Sequence, residues 1–236
     1  MSPRLDIVDF HTHVLPGADH GSYSVSESEA QLDLAAEHGV KRIIATPHFY
    51  PNSHTVDGFL ERRALAFEML SSSLTESRPK LLLGAEVLLC EGLEKMASLD
   101  KLLISGTDTL LLELPFSGFS EGYIKSVKAI IKSGIDVVLA HVDRYDPENI
   151  NKLLKIGAKA QVNASALCSF FRNKQLYEWL ESGMIVAIGS DIHNRTRSAY
   201  DHFSKAIRKI GEYAERIKIS SDAIWDKAFW ENNQKI

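Results

Sequence analysis

Apolar positions along this chain follow two periods. Short runs such as DIVDF, KRIIA, KLLLG, DTLLLE, IDVVLA and MIVAIG are rich in Val, Ile and Leu and nearly continuous, the pattern of strands buried on both faces. Between them lie amphipathic stretches about a dozen residues long with helical spacing. That alternation predicts repeated βα units around a parallel sheet. Strands are expected at 5–10, 40–46, 81–86, 109–114, 135–140, 158–163 and 184–190, seven in all. Helices are expected at 26–38, 56–75, 91–104, 120–133, 147–156, 171–182 and 197–213. Ser26 with Glu29 three residues on has the form of a capping box, and Gly39, Gly134, Gly157 and Gly183 stand where left-handed caps end helices. The segment SSDAIWDKAFWENN predicts a final helix whose Ile224, Trp225, Phe229 and Trp230 cover the outside or the bottom of a barrel. No linker, repeat or low-complexity tract interrupts the 236 residues, so a single domain over 1–236 is expected.

The ends of the apolar runs carry the chemistry. His11 and His13 close LDIVDFHTH, His48 closes VKRIIATPH, Glu86 closes KLLLGAE, Glu113 closes DTLLLELP, His141 closes IDVVLAH, and Asp191 with His193 closes MIVAIGSDIH. In a parallel sheet the carboxyl ends emerge on one face, so these groups converge although they are far apart in sequence. Neutral imidazole nitrogens with charged carboxylate oxygens able to bridge two ions predict a multinuclear metal site, because clustered carboxylates without cations would repel and protonate. His11 and His13, two apart on a strand end, share a face; backbone carbonyls satisfying both rings are the alternative. Glu86 and Glu113 follow apolar runs where an unpaired carboxylate is costly, and salt bridges to Arg42 or Arg144 are the alternative to metal bridging.

Arg144, three residues beyond His141, is placed to grip an anionic group bidentately, against an ion pair with Asp143 or Asp146. Arg195 and Arg197 follow the last strand, where one can clamp the same anion and the other is solvated. His54 reads as a surface residue, and His38 and His202, on helices, as structural.

Composition narrows the partners. The net charge of −4 and the lack of a Lys/Arg run give no footprint for duplex DNA and no polybasic membrane anchor. Two cysteines, Cys90 and Cys168, make no disulfide framework and fit a reducing compartment; with no secretory h-region at the N-terminus and no apolar stretch of ~18 residues, a cytoplasmic protein without membrane insertion is expected. A cysteine-based phosphatase needs C-x5-R, yet Met96 stands six residues after Cys90 and Lys174 six after Cys168. An amidohydrolase would place a lysine bridge on strand four and a histidine on strand six, where this chain has Glu113 and Asn163.

The ordered motifs DFHTHVLPGADHG, ATPH, GAEV, LLELP, AHVDRY, QVNASAL and GSDIHN resemble those of the polymerase and histidinol phosphatase (PHP) superfamily. Within it they are most similar to the metal-dependent protein-tyrosine phosphatases of bacterial capsule and exopolysaccharide operons. The resemblance spans residues 5–200 and implies an α/β fold, a distorted seven-stranded (β/α)7 TIM-like barrel of PHP type, with three divalent ions. It implies a first ion on His11, His13, Glu86 and Asp191, a second on Glu86, Glu113 and His141 with Glu86 bridging, and a third on His20, His48 and His193. Manganese is the implied activating ion, with iron or zinc as alternatives. The implied reaction is attack of metal-activated hydroxide on a phosphotyrosine protein, the tail of a tyrosine autokinase, without a covalent intermediate. A small-molecule phosphatase such as a histidinol phosphatase shares the same metal logic, and a non-catalytic metal-binding protein is the third class.

Three departures from the subfamily stand out. Its D-D-G is Asp19-His20-Gly21 here, which replaces a carboxylate by an imidazole and leaves Asp19 as a competing ligand. Its P-H-H is Pro47-His48-Phe49, and its H-P-E-R-Y is His141-Val142-Asp143-Arg144-Tyr145.

Overall fold

The computed structural model describes residues 6–116, 118–168, 173–194 and 198–233, with side chains through 229. From the N-terminus come β1 (Asp9–Thr12), α1 (Val25–Glu37), β2 (Arg42–Ala45), β3 (His48–Phe49), α2 (Val56–Ser71), β4 (Lys80–Leu83), β5 (Glu86–Leu88) and β6 (Thr109–Glu113). There follow α3 (Glu121–Lys132), β7 (Asp136–Leu139), α4 (Pro147–Lys155), β8 (Lys159–Asn163), α5 (Ala164–Leu167), α6 (Lys174–Glu181), β9 (Ile185–Gly189), α7 (Ser198–Ile210) and α8 (Tyr213–Asn233).

The strands form one curled, wholly parallel sheet in the order β3-β5-β6-β7-β8-β9-β1-β2-β4. Nine strands among the described residues replace the seven expected, because two of the predicted runs are broken. The run at 40–46 holds β2, and past Thr46-Pro47, where proline has no N–H to continue the ladder, the chain resumes as the unexpected β3. The run at 81–86 divides into β4 and β5 around Gly84-Ala85. Bonds from Gly84 N to Ala45 O (2.8 Å) and from Glu86 N to Pro47 O (3.1 Å) carry the pairing across both breaks. The consequence lies at the site, since the short β3–β5 ladder sets His48 directly opposite Glu86.

Alternation along the strands divides the core in two. Ile43, Ala45, Leu110, Leu112, Val137 and Leu139 pack outward under the helices, whereas Ile44, Leu111 and Val138 point into the curl with Val8, Phe10 and Ala187. Trp225 of α8, 4% exposed, closes that inner cluster. Its ring lies 5.9 Å from the Arg42 guanidinium at the start of β2, so the last helix plugs the bottom rather than cladding the outside. Trp230, assigned to the same role from sequence, has its side chain outside the described residues. Gly106, at φ +73°, lets its loop pass the α8 backbone, where a Cβ would stand 2.8 Å from Ala228 O.

Several helix boundaries differ, three of them instructively. The expected capping box at Ser26 lies two residues earlier: Ser24 caps α1 by accepting from Glu27 N, and Glu27 accepts from Tyr23 N at 2.7 Å. The helix expected over 91–104 is two 3-10 turns, Leu93–Lys95 and Leu99–Leu102, each preceded by a left-handed residue, Gly92 and Ser98. The last helix begins at Tyr213, directly after Gly211 at φ +58° separates it from α7. Among the described residues no helix is long and apolar enough to cross a membrane.

Candidate metal centre

Pairing between the first and last strands builds one wall of the site. Beyond β1 and β9 the contact continues through Asp191 N to His11 O (2.9 Å) and His13 N to Ile192 O (3.2 Å). Two of the converging residues sit in the left-handed region that side chains seldom adopt, His141 at φ +29° and Asp191 at φ +51°. Neighbouring hydrogen bonds hold them there: Gln161 Oε1 accepts from His141 N at 2.7 Å, and Asn163 Nδ2 donates to Asp191 Oδ2 at 3.0 Å.

Glu86, 1% exposed, is the hub. Its Oε2 lies 2.8 Å from His48 Nδ1, 3.2 Å from His11 Nε2 and 3.4 Å from His13 Nε2, while Oε1 lies 2.7 Å from His141 Nε2. Glu113 stands beside it, 3.6 Å from His141 Nε2 and 3.9 Å from His48 Nδ1. On the other side Asp191 Oδ1 is 3.7 Å from His11 Nε2, 3.5 Å from His13 Nε2 and 3.5 Å from His193 Nδ1. Donor atoms within 4.8 Å of one another fall into four overlapping groups: His11/His13/Asp191, His11/Glu86/His141, His48/Glu86/Glu113 and His13/His48/His193.

Around these donors lies an orienting layer. Gln161 accepts from His11 Nδ1 (3.3 Å) and Asp19 accepts from His13 Nδ1 (2.6 Å), which turns the Nε2 atom of each ring toward Glu86 in a form able to bind a cation. Gln161 Nε2 also donates to Asn163 Oδ1 at 3.0 Å, joining His11, His141 and Asp191 in one relay. Gly189 and Gly21 make room: a Cβ would stand 2.7 Å from His11 Cβ at the first and 2.2 Å from His13 Cβ at the second.

Buried imidazoles and carboxylates shift one another throughout the cluster. Burial works against the charge on Asp191 and Glu86, yet the imidazoles of His11 and His13 outweigh it and hold both carboxyls well below their usual range. Burial and the Glu86 charge push Glu113 up to about 7. Burial lowers His11 and His13, but the carboxylates around them carry both above an ordinary imidazole. His193, with burial and His13 against it, falls to about 4.

Metal ligation fits these donors on a further ground. Glu86 Oε2 and His48 Nδ1 are fully buried and 2.8 Å apart, yet neither has a hydrogen-bond partner. His11 Nε2 and His13 Nε2 face each other at 3.1 Å. Buried atoms left in that condition are expensive unless a cation lies between them.

The structure brings His11, His13, His48, Glu86, Glu113, His141, Asp191 and His193 together. His20 is exposed and joins none of the four groups, but its ring stacks 4.7 Å from His48 and 4.9 Å from His193. The competing Asp19 already accepts from His13, from His48 N (3.0 Å) and from Gly21 N (2.8 Å). Arg144 donates to Asp191 rather than to Asp143, which accepts from Asn163 N, or Asp146, which caps α4. Arg42 pairs with Asp6 and Asp222 (2.8 Å), so neither Arg42 nor Arg144 bridges to Glu86 or Glu113. Arg195 and Arg197 lie outside the described residues. His38 bonds Leu34 O and Asp201, a structural role, and His54 accepts from Tyr50 N at 3.2 Å. Burial pushes the thiols of Cys90 and Cys168 up, away from the thiolate a nucleophile needs.

Gln161 and Asn163 were not assigned a role from sequence, although two buried polar side chains two apart at the carboxyl end of a strand were a visible signal.

Residues 7–236 match the family described as capsular polysaccharide synthesis, CpsB/CapC. The tyrosine-protein phosphatase YwqE of Bacillus subtilis is 27% identical over 204 residues, covering 81% of this chain and 80% of the relative. The tyrosine-protein phosphatase CpsB of Streptococcus pneumoniae is 24% identical over 225 residues, covering 84% and 90%. A solved structure from work on those two proteins, described as unique metal-dependent tyrosine phosphatases, shares the fold with a TM-score of 0.76 at 21% identity, over 94% of this chain and 95% of that one. With the family matched from the first strand to the last residue, this chain belongs to the CpsB/CapC family of capsular polysaccharide synthesis.

Proposed function

We propose that this protein is a metal-dependent protein-tyrosine phosphatase with a PHP-type site. The observation that carries the proposal is Glu86, a buried carboxylate faced by four imidazoles at the carboxyl ends of a parallel sheet. The names of its relatives support the substrate class over a small-molecule phosphatase of the histidinol phosphatase kind.

Three divalent ions are proposed, on His11, His13, Glu86 and Asp191, on Glu86, Glu113 and His141, and on His20, His48 and His193. Manganese is the activating ion, and iron or zinc suits the all-imidazole third set. When bound, such ions supply Lewis acidity toward phosphoryl oxygens and activate water at neutral pH. Glu86 would be the carboxylate shared between two of them, while Gln161 and Asp19 keep His11 and His13 in the ligating orientation. Arg144 holds a phosphate oxygen at the mouth, and Arg195 or Arg197 adds a second grip. Neither cysteine takes part, and with water as the nucleophile no covalent phosphoenzyme would form. The phosphoprotein is a tyrosine autokinase tail, and the reaction takes place in the cytoplasm.

The test compares a phosphotyrosine peptide with histidinol phosphate, alongside metal analysis. EDTA should abolish turnover of the peptide, and replacing Cys90 and Cys168 together by Ser should leave most of it. Thiol-dependent turnover that survives chelation would overturn the proposal.

A further inference from the structure

A row of rings leads outward from the metal centre. His141, 1% exposed, lies 5.6 Å ring to ring from Tyr145, which lies 5.9 Å from Phe116; the successive tilts are 35° and 33°. Tyr145 is pinned in place because its hydroxyl donates to Leu114 O at 2.8 Å, tying the turn after β7 to the loop after β6. Its polar end is thus occupied and its ring face remains for apolar contact.

Phe116 comes three residues after Glu113 and, at 75%, is the most exposed large apolar side chain among the described residues. A lone exposed phenylalanine is commonplace. This one stands at the outer end of a row that begins on a histidine of the donor cluster. A second aromatic ring, Tyr50, stacks 5.3 Å from His48 at 19°.

We infer that Phe116 and Tyr145 form an aryl subsite, stacking on the ring of a phosphorylated phenol whose phosphate lies at the metal centre, and so favouring aryl over alkyl phosphomonoesters. This rests on the phosphatase activity proposed above. In an aryl phosphate the ring is attached directly to the ester oxygen, so it must lie close to the site, on the side where Tyr145 flanks His141 and Phe116 flanks Tyr145. An alkyl phosphate, phosphoserine included, presents no ring there. Each stacked pair is worth roughly two- to tenfold in affinity.

The test uses the metal-loaded wild-type, Phe116→Ala and Phe116→Trp proteins, titrated calorimetrically with benzylphosphonate and with butylphosphonate, neither of which can be hydrolysed. Turnover of phenyl phosphate and a phosphotyrosine peptide, with metal content, is measured in parallel. Phe116→Ala should weaken benzylphosphonate about fivefold, raise KM for phenyl phosphate by the same factor and leave butylphosphonate and metal content unchanged. Phe116→Trp should restore both. Equal losses for the two phosphonates, no loss for either, or a loss confined to the peptide would overturn the subsite. A wild-type protein that prefers benzylphosphonate yet hydrolyses no phosphomonoester would keep the subsite and sink the phosphatase activity instead.

Discussion

Gln161 Oε1 lies 2.7 Å from the backbone N of His141 and accepts from Nδ1 of His11 at 3.3 Å. One uncharged side chain thus sets both the strained backbone of one donor and the ring of another. Gln161→Leu keeps the volume and removes both bonds. Metal affinity should fall by roughly 10- to 100-fold, as when other orienting partners of metal ligands are lost. A competitive chelator titration reads this directly, and an unchanged affinity would leave Gln161 a packing residue only.

Glu86 is expected to be the most damaging single donor to lose, since four imidazoles face it. Glu86→Gln should lower kcat by roughly a thousandfold or more, because charge stabilisation and ion positioning go together. Near-normal turnover with the wild-type metal complement would mean that Glu86 does not bridge.

Arg144 contacts Asp191 and is 39% exposed at the side chain, so it can exchange that partner for a substrate oxygen. Arg144→Ala should weaken phosphotyrosine peptide use by roughly 2 to 3 kcal/mol in kcat/KM, the scale of a charge-assisted contact, with metal content unaltered. Wild-type kinetics in this variant would shift the assignment to Arg195 or Arg197.

At position 20 an imidazole stands where the subfamily has a carboxylate. His20 stacks against His48 and His193, whereas Asp19 is already engaged by three donors. The purified protein should therefore carry some iron or zinc, and His20→Asp should move the bound complement toward manganese. Elemental analysis of both proteins checks this. An identical metal profile would show that His20 holds no ion.

Much of the site was legible because a strand buried on both faces leaves a continuous apolar run, and a polar residue at its end has to serve something. His11, Glu86, His141 and Asp191 were all visible in this way. The strand breaks were not, because the kinks at Pro47 and Gly84 depend on how two neighbouring strands bend together. Ser24 and Ser26 each begin an S-x-x-E, and only the packing of α1 selects the first. Leu93, Met96, Leu99 and Leu102 recur every third residue, a spacing that suits α and 3-10 turns alike; the left-handed Gly92 and Ser98 decide between them.

The seam between β1 and β9 has a consequence for how the protein is made. Ser190 N donates to Asp9 Oδ1 across 181 residues of chain, and the same seam positions His11 and His13 beside Asp191. At about 5 to 20 residues per second, the opening histidines are synthesised roughly 10 to 40 s before their aspartate partner. During that interval the first strand has no neighbour on its β9 side and no complete set of ligands. Capture of an ion on the set that needs Asp191 would therefore come late in the making of the protein, and a chain stopped before β9 would release the donors of the first strand without the pocket that selects their ion.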